Sequence, residues 1–201
     1  MENFFNLIEN VKGVIQIGAN SGQEVNFILG HTKNVILIEP IPTLAESLSL
    51  RYPNCKVIKC ALGSTDCEMD FHLASNNGES SSLLKPLKHV EYYPEITFNH
   101  TIKVPVRKFT TIAEDYEIDV DSFNVIISDT QGYDLECLKG FGENITKFDL
   151  IISEYINSNL YENDGNLQSF IDYLTPFGFE FVSTFSENIG AGNVIFKKNK
   201  Q

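Results

Sequence analysis

The chain has 201 residues, 42% of them hydrophobic and 11% aromatic, enough for one sizeable core and a poor fit to two independent ones. Fifteen Lys and Arg stand against 27 Asp and Glu, a formal charge of −12 with no basic stripe to offset it, which argues against a nucleic-acid partner. No apolar run approaches the ~20 residues that span a bilayer.

The first residues lack the basic start of a secretory leader, and the basic tract at 196–200 reads as a solvated tail. Cys55, Cys60, Cys67 and Cys137 show no paired C-x-x-C spacing, so reduced thiols are expected rather than a zinc site or a disulfide framework. The expectation is a soluble, cytoplasmic protein made of a single domain over residues 1–201.

Phe4, Phe5, Leu7 and Ile8 stand at helical spacing, predicting a short helix within residues 1–12 that caps the sheet. Val14, Ile15 and Ile17 then make a β-branched run, which breaks into Gly18-Ala19-Asn20-Ser21-Gly22 before a helical pattern opens near Gln23. Such a turn leaves the first N–H groups of the helix unpaired, and Gly18 and Gly22 let a ligand approach the main chain. Residues 34–38 are a second buried strand ending in Glu39, 21 positions after Gly18. A βαβ unit places a ribose-binding carboxylate at that interval. A dinucleotide fingerprint would want glycines at 18, 20 and 23, whereas Asn20 and Gln23 stand there. Gly22, four after Gly18, fits an S-adenosylmethionine loop better.

Pro40 and Pro42 stiffen the turn after Glu39, and a helix runs through Leu44, Leu48 and Leu50 until Tyr52-Pro53-Asn54 stops it. A third strand over 56–60 leads to Ala61 and Leu62, which would lie beside an adenine. Strands alternating with helices imply a parallel sheet with right-handed crossovers. After Gly63 the period changes: Met69, Phe71 and Leu73 alternate with polar residues, and Ile102, Val104 and Val106 form a matching partner. Residues 74–106 between and around them hold Asn77, Ser80, Ser81, Ser82, Leu83, Leu84, Tyr92 and Tyr93. That stretch reads either as a plain loop or as an insertion that contacts the acceptor.

Thr110 or Thr111 starts a short helix leading to a fourth strand, 123–128, whose end carries Asp129-Thr130-Gln131-Gly132-Tyr133-Asp134 before a helical run to Gly140. Residues just past neighbouring parallel strands converge on one crevice, so Asp129 should face the Gly18 loop. The alternative is that Asp129 and Thr130 only cap the following helix. A fifth strand, 149–153, ends in Glu154, either a second carboxylate at the crevice or a buried group held by turn amides. A helix over 166–174 follows, closed by Pro176 and Gly178. Strands 179–182 and 193–196 then form a hairpin around Gly190-Ala191-Gly192. His31, His72, His89 and His100 are scattered. Asp129, Asp134 and Glu154 could meet, but no histidine accompanies them at ligand spacing, so no metal is expected.

Five pieces, taken together, resemble the FkbM-type family of S-adenosylmethionine-dependent methyltransferases. They are Ile17-Gly18-Ala19-Asn20-Ser21-Gly22-Gln23-Glu24, Ile38-Glu39-Pro40, Asn77-Gly78-Glu79-Ser80-Ser81-Ser82, residues 129–140 from Asp129 to Gly140, and Ser153-Glu154-Tyr155. The resemblance spans about Val14 to Phe196. It implies a class I methyltransferase fold, an α/β three-layer sandwich around a mostly parallel seven-stranded sheet with an antiparallel last strand. It also implies methyl transfer to a hydroxyl of a sugar or glycan. Carried onto this sequence, the cofactor would meet Gln16, Gly18, Ala19, Asn20, Gly22, Glu39, Pro40, Ala61, Leu62, Asp129 and Thr130. The acceptor would meet Asn77, Ser80, Ser81, Ser82, Gln131 and Tyr133. Asp129 is the expected base, with Glu154 second.

Two departures stand out: Gln16 replaces an Asp that many relatives use at the cofactor's methionine end, and Gln131 replaces an acid. A non-catalytic binding module stays open because of Gln16. A nicotinamide oxidoreductase would need a Tyr-Lys or His-Asp pair that the sequence does not offer. A homodimer, or a place inside a larger multidomain glycan-processing protein, would suit the short chain.

Overall fold

The computed structural model describes residues 4–187 and 190–199, so the start of the expected N-terminal helix and the end of the basic tract lie outside the described part. The strands are β1 (Val14–Ile17), β2 (Val35–Ile38), β3 (Lys56–Ile58), β4 (Ala61–Leu62) and β5 (Cys67–Leu73), followed by β6 (His100–Arg107), β7 (Val125–Ser128), β8 (Leu150–Ile156), β9 (Phe179–Phe185) and β10 (Ala191–Lys198). The helices are α1 (Val25–Leu29), α2 (Pro42–Arg51), α3 (His89–Tyr92), α4 (Phe109–Asp115), α5 (Asp134–Lys139) and α6 (Leu167–Leu174).

Strands β1 and β2 are buried along their whole length because helices cover both faces of the sheet, as expected for parallel strands joined by helical crossovers. Side chains alternate between two cores. Ile15, Ile17, Ile36, Ile38, Ile126 and Ile151 pack with Phe109, Leu138 and Phe170 from α4, α5 and α6. Val14, Val35, Leu37, Val125 and Leu150 pack instead with Val25 and Ile28 of α1 and Leu48 of α2.

Seven strands form one sheet in the order β3-β2-β1-β7-β8-β10-β9. All run parallel except β10, which is antiparallel to both neighbours. This is the class I methyltransferase architecture implied above. Strand order reverses between β1 and β7, and the carboxyl ends there frame the crevice in which open α/β sheets bind ligands.

Several boundaries differ from the sequence reading. The N-terminal helix is a 3-10 turn, Phe4–Leu7, whose Phe4 ring lies 4.2 Å from that of Phe185. Strand β3 stops at Ile58, whose carbonyl accepts N–H bonds from both Glu39 and Cys60, and the chain turns away. Ala61 and Leu62 then pair with β6 in a separate sheet ordered β4-β6-β5, where the expected Met69 and Phe71 alternation pairs antiparallel with Val104 and Ile102. Leu50 is 85% exposed, because the buried stripe of α2 is Ala45 and Leu48.

Strand β8 runs through Glu154 to Ile156, held there by β10 in register from Ala191 to Lys197. Ala191 and Gly192 therefore belong to β10 rather than to the hairpin turn, and residues 188–189 of that turn lie outside the described part. Among the described residues no helix is long and apolar enough to cross a membrane.

Candidate active site

Gly18 follows β1 at φ +74°, and a Cβ built on it would sit 1.9 Å from the carbonyl oxygen of Asp129. The loop and the end of β7 therefore approach more closely than any side chain would allow. Asn20 is also left-handed, at φ 44°, and its side-chain oxygen accepts the N–H of Ser21 at 2.6 Å, a local bond of the kind that lets Asn tolerate this region.

Glu39 emerges from β2 into the same space. Its carboxylate accepts the N–H of Asn20 at 2.7 Å and of Ile41 at 2.8 Å, one on each oxygen, so the acid pins the glycine loop to the following turn. The side chain is buried, and burial pushes its pKa up to about 7 against the opposing pull of the Ile41 and Asn20 amides.

Opposite, at the end of β7, Asp129 N donates to Ile17 O at 3.1 Å. Gln131, held at φ 56°, donates from Nε2 to Asp129 Oδ1 at 2.8 Å and to Glu154 Oε2 at 3.0 Å. One amide thus bridges two carboxyls. The Tyr161 hydroxyl lies 3.2 Å from Gln131 Oε1 and 2.9 Å from Ser80 O, sharing its proton between them.

Water reaches Asp129 from the open cleft while protein surrounds it elsewhere. This enclosure raises its pKa, the Gln131 bond opposes, and the Glu24 charge adds to the rise. Glu154 is pushed well above the carboxylate range, first by burial and then by Asp129 and Asp134. Asp134, fully buried, accepts from the Ser128 hydroxyl at 2.6 Å and from the N–H groups of Thr130 and Gly132 at 3.0 and 3.2 Å. It shapes the loop from below and does not join Asp129 and Glu154 as a third free ligand. Among the described residues, no group of three His, Cys, Asp or Glu is arranged to hold a metal.

These elements enclose a cavity of about 510 Å³, within the ~300–1,000 Å³ usual for small-molecule sites. Of the residues singled out from sequence, Gln16, Gly18, Asn20, Glu39, Pro40, Ala61, Leu62, Asp129, Thr130, Ser80, Ser81, Gln131 and Tyr133 line it. Ala19 and Gly22 do not: Ala19 is fully buried, and Gly22 donates its N–H to Ala19 O at 2.8 Å while packing on Leu48. Ser82 is also outside the cavity. It is fully buried, donates to Gln131 O at 2.8 Å and accepts from Leu84 N at 3.0 Å, so its hydroxyl ties two loops together. Asn77 stays at the outer edge, its carbonyl 3.5 Å from Asn20 Nδ2. Glu154 stands behind Gln131 rather than on the cavity wall.

Sequence reasoning gave no role to Glu24, Phe71, Phe185, Asn193 and Tyr161. The first four line the cavity, and Tyr161 supports Gln131. Glu24 lay inside the quoted glycine motif and was visible there. The others come from distant segments with no local signature.

Two comparisons bear on the fold. The N-methyltransferase NodS from Bradyrhizobium japonicum WM9 superimposes with a TM-score of 0.51 at 11% identity, over 95% of this chain and 88% of that one. The methyltransferase domain of bacterial CtHen1-C gives 0.50 at 9% identity, over 95% and 91%. Fold and cleft together have the class I methyltransferase architecture.

The family follows from sequence. The methyltransferase FkbM domain model matches residues 16–181, and the chain belongs to that family. The 2-O-methyltransferase NoeI of Sinorhizobium fredii (strain NBRC 101917 / NGR234) is 25% identical over 198 residues, covering 93% of this chain and 79% of that protein.

The residues present suit the cofactor. Gln16 Oε1 is buried beside the cavity without a hydrogen-bond partner among the described residues, a Cβ at Gly18 would collide with the Asp129 carbonyl, and each Glu39 oxygen keeps a lone pair beyond the amide it accepts.

Proposed function

We propose that this methyltransferase acts on oxygen, methylating a hydroxyl of a sugar or glycan, with residues 1–201 as one domain and residues 74–106 as its acceptor side. The observation that carries the reading is Asp129 on the cavity wall, joined through Gln131 to a second carboxyl, Glu154, behind it. A hydroxyl must lose its proton during transfer, and a carboxylate at the cavity wall can take it. Acceptor chemistry is further narrowed by the lining. Among the described residues it contains Glu24, Glu39, Glu79 and Asp129 and no Lys, Arg or His, so no side chain of the lining offers a counter-charge to a phosphorylated or otherwise anionic acceptor. The relative NoeI, a 2-O-methyltransferase, supports oxygen as the methylated atom.

Bound here, S-adenosylmethionine would supply an electrophilic methyl group on a sulfonium sulfur. Glu39 would accept from its ribose hydroxyls, Gly18 and Asn20 would present the loop's main chain to it, and Ala61, Leu62 and Pro40 would line its adenine. Asp129 would take the proton of the acceptor hydroxyl as that oxygen is methylated. Burial and the neighbouring Asp129 and Asp134 favour the protonated form of Glu154, and Gln131 fixes the orientation of both carboxyls. Ser80, Ser81 and Tyr133 border the acceptor. Alignment contributes up to ~7–11 kcal/mol to such a reaction, and a positioned base about 100- to 10,000-fold.

A panel of neutral sugars, amino sugars, uronic acids and sugar phosphates, incubated with methyl-labelled donor, tests the reading. Label is expected in an ether on a neutral glycan. Label on nitrogen, or preference for an anionic sugar, would contradict it.

A further inference from the structure

Gln16 lies at the end of β1, where the resemblance to the family leads one to look for an acid. Its amide is turned toward α1: Nε2 donates to Glu24 Oε2 at 2.9 Å, while Oε1 is buried and has no hydrogen-bond partner among the described residues. That bond fixes the amide's orientation, since the reverse orientation would set an amide oxygen against a carboxylate. Glu24 is half-buried, lines the cavity beside Gln16, and lies close enough to Asp129 for its charge to act on that carboxyl. Both acids line the same cavity. Glu24 has no cationic partner among the described ion pairs.

We propose that Glu24 supplies the negative charge that Gln16 lacks, and that it binds the α-ammonium of the cofactor's methionine end, with Gln16 as the residue that holds Glu24 in place. The carboxylate is carried on the first residue before α1 instead of on β1, and one side-chain amide spans the gap. Gln16 Oε1, left unpaired, is then available as a second acceptor for the same three-proton donor. This inference rests on the cofactor assignment above and adds a residue to it.

Calorimetric titration separates the two. S-adenosylhomocysteine carries the ammonium, whereas 5′-methylthioadenosine has the same adenosyl group and sulfur without the amino-acid end. Glu24→Gln, close in shape, is expected to weaken S-adenosylhomocysteine about 10- to 100-fold, the range of a charge-assisted hydrogen bond. Methylthioadenosine should bind wild type and variant within about twofold, which also shows that the variant's cleft is intact. Equal losses for both ligands would assign Glu24 to the loop's shape, and unchanged affinity for S-adenosylhomocysteine would remove it from the site; either overturns the proposal. Wild type that binds neither ligand would instead defeat the cofactor assignment itself.

Discussion

Around Glu39 the cleft is held by main-chain groups: both carboxylate oxygens accept backbone N–H bonds, from residues on either side of one βαβ unit. Around Asp129 it is held by side chains drawn from separate segments, with Gln131 spanning Asp129 and Glu154, and Tyr161 and Ser80 O behind it. The first arrangement is rigid and tolerates changes of side chain elsewhere. The second can be retuned by single substitutions, which suits the half of a methyltransferase that must differ between acceptors. Substitutions on the Asp129 side should therefore change turnover and its pH dependence, and substitutions on the Glu39 side should change cofactor affinity and stability.

The largest effect is expected from Asp129→Asn, which keeps the shape of the side chain and removes its basicity. Turnover should fall about 100- to 10,000-fold while affinity for S-adenosylhomocysteine changes by less than about threefold. Full activity in that variant would break the contrast between the two sides. Glu39→Ala is expected to weaken cofactor binding about 10- to 100-fold, measured by calorimetry. It should also cost about 1–3 kcal/mol in chemical denaturation, because the N–H groups of Asn20 and Ile41 lose their acceptor.

Gln131→Leu sharpens the comparison. The amide lowers the pKa of Asp129, so its loss should move the acidic limb of the rate profile to higher pH, with turnover down about tenfold at neutral pH. A residue that only packs would lower the rate without moving that limb.

The smallest effect concerns stability of the cofactor-free protein against pH. Glu39 is raised from 4.5 to about 7 in the folded state, so the folded protein binds the extra proton between those values. Its contribution is full below pH 4.5 and is lost as pH rises through about 7. The melting temperature should therefore be higher near the lower end of that window than above it, and Glu39→Gln should flatten the difference.

The Glu39 side was legible in the sequence for the same reason that it is rigid. A strand, a glycine loop and the next strand's end are local, so the Gly18 to Glu39 interval carries the geometry. Asp129 was legible by its place after a parallel strand. The rest depended on partners far along the chain. Glu154 falls inside β8 because β10 extends that strand, and nothing around 149–155 records where β10 ends. Ala61 and Leu62 read as a strand's end, yet they pair with β6, more than forty positions away. Ser82 looked like an acceptor contact from its polar surroundings, and only the Gln131 carbonyl packed against it shows why it is buried. Leu50 matched a helical pattern that Ala45 and Leu48 already complete.

A crystal structure of the protein with S-adenosylhomocysteine tests the central claim most directly. The account predicts the ribose hydroxyls on Glu39, the base between Leu62 and the turn at Pro40, and the sulfur turned toward Asp129. An adenosyl group bound away from Glu39, or a sulfur facing away from Asp129, would contradict it.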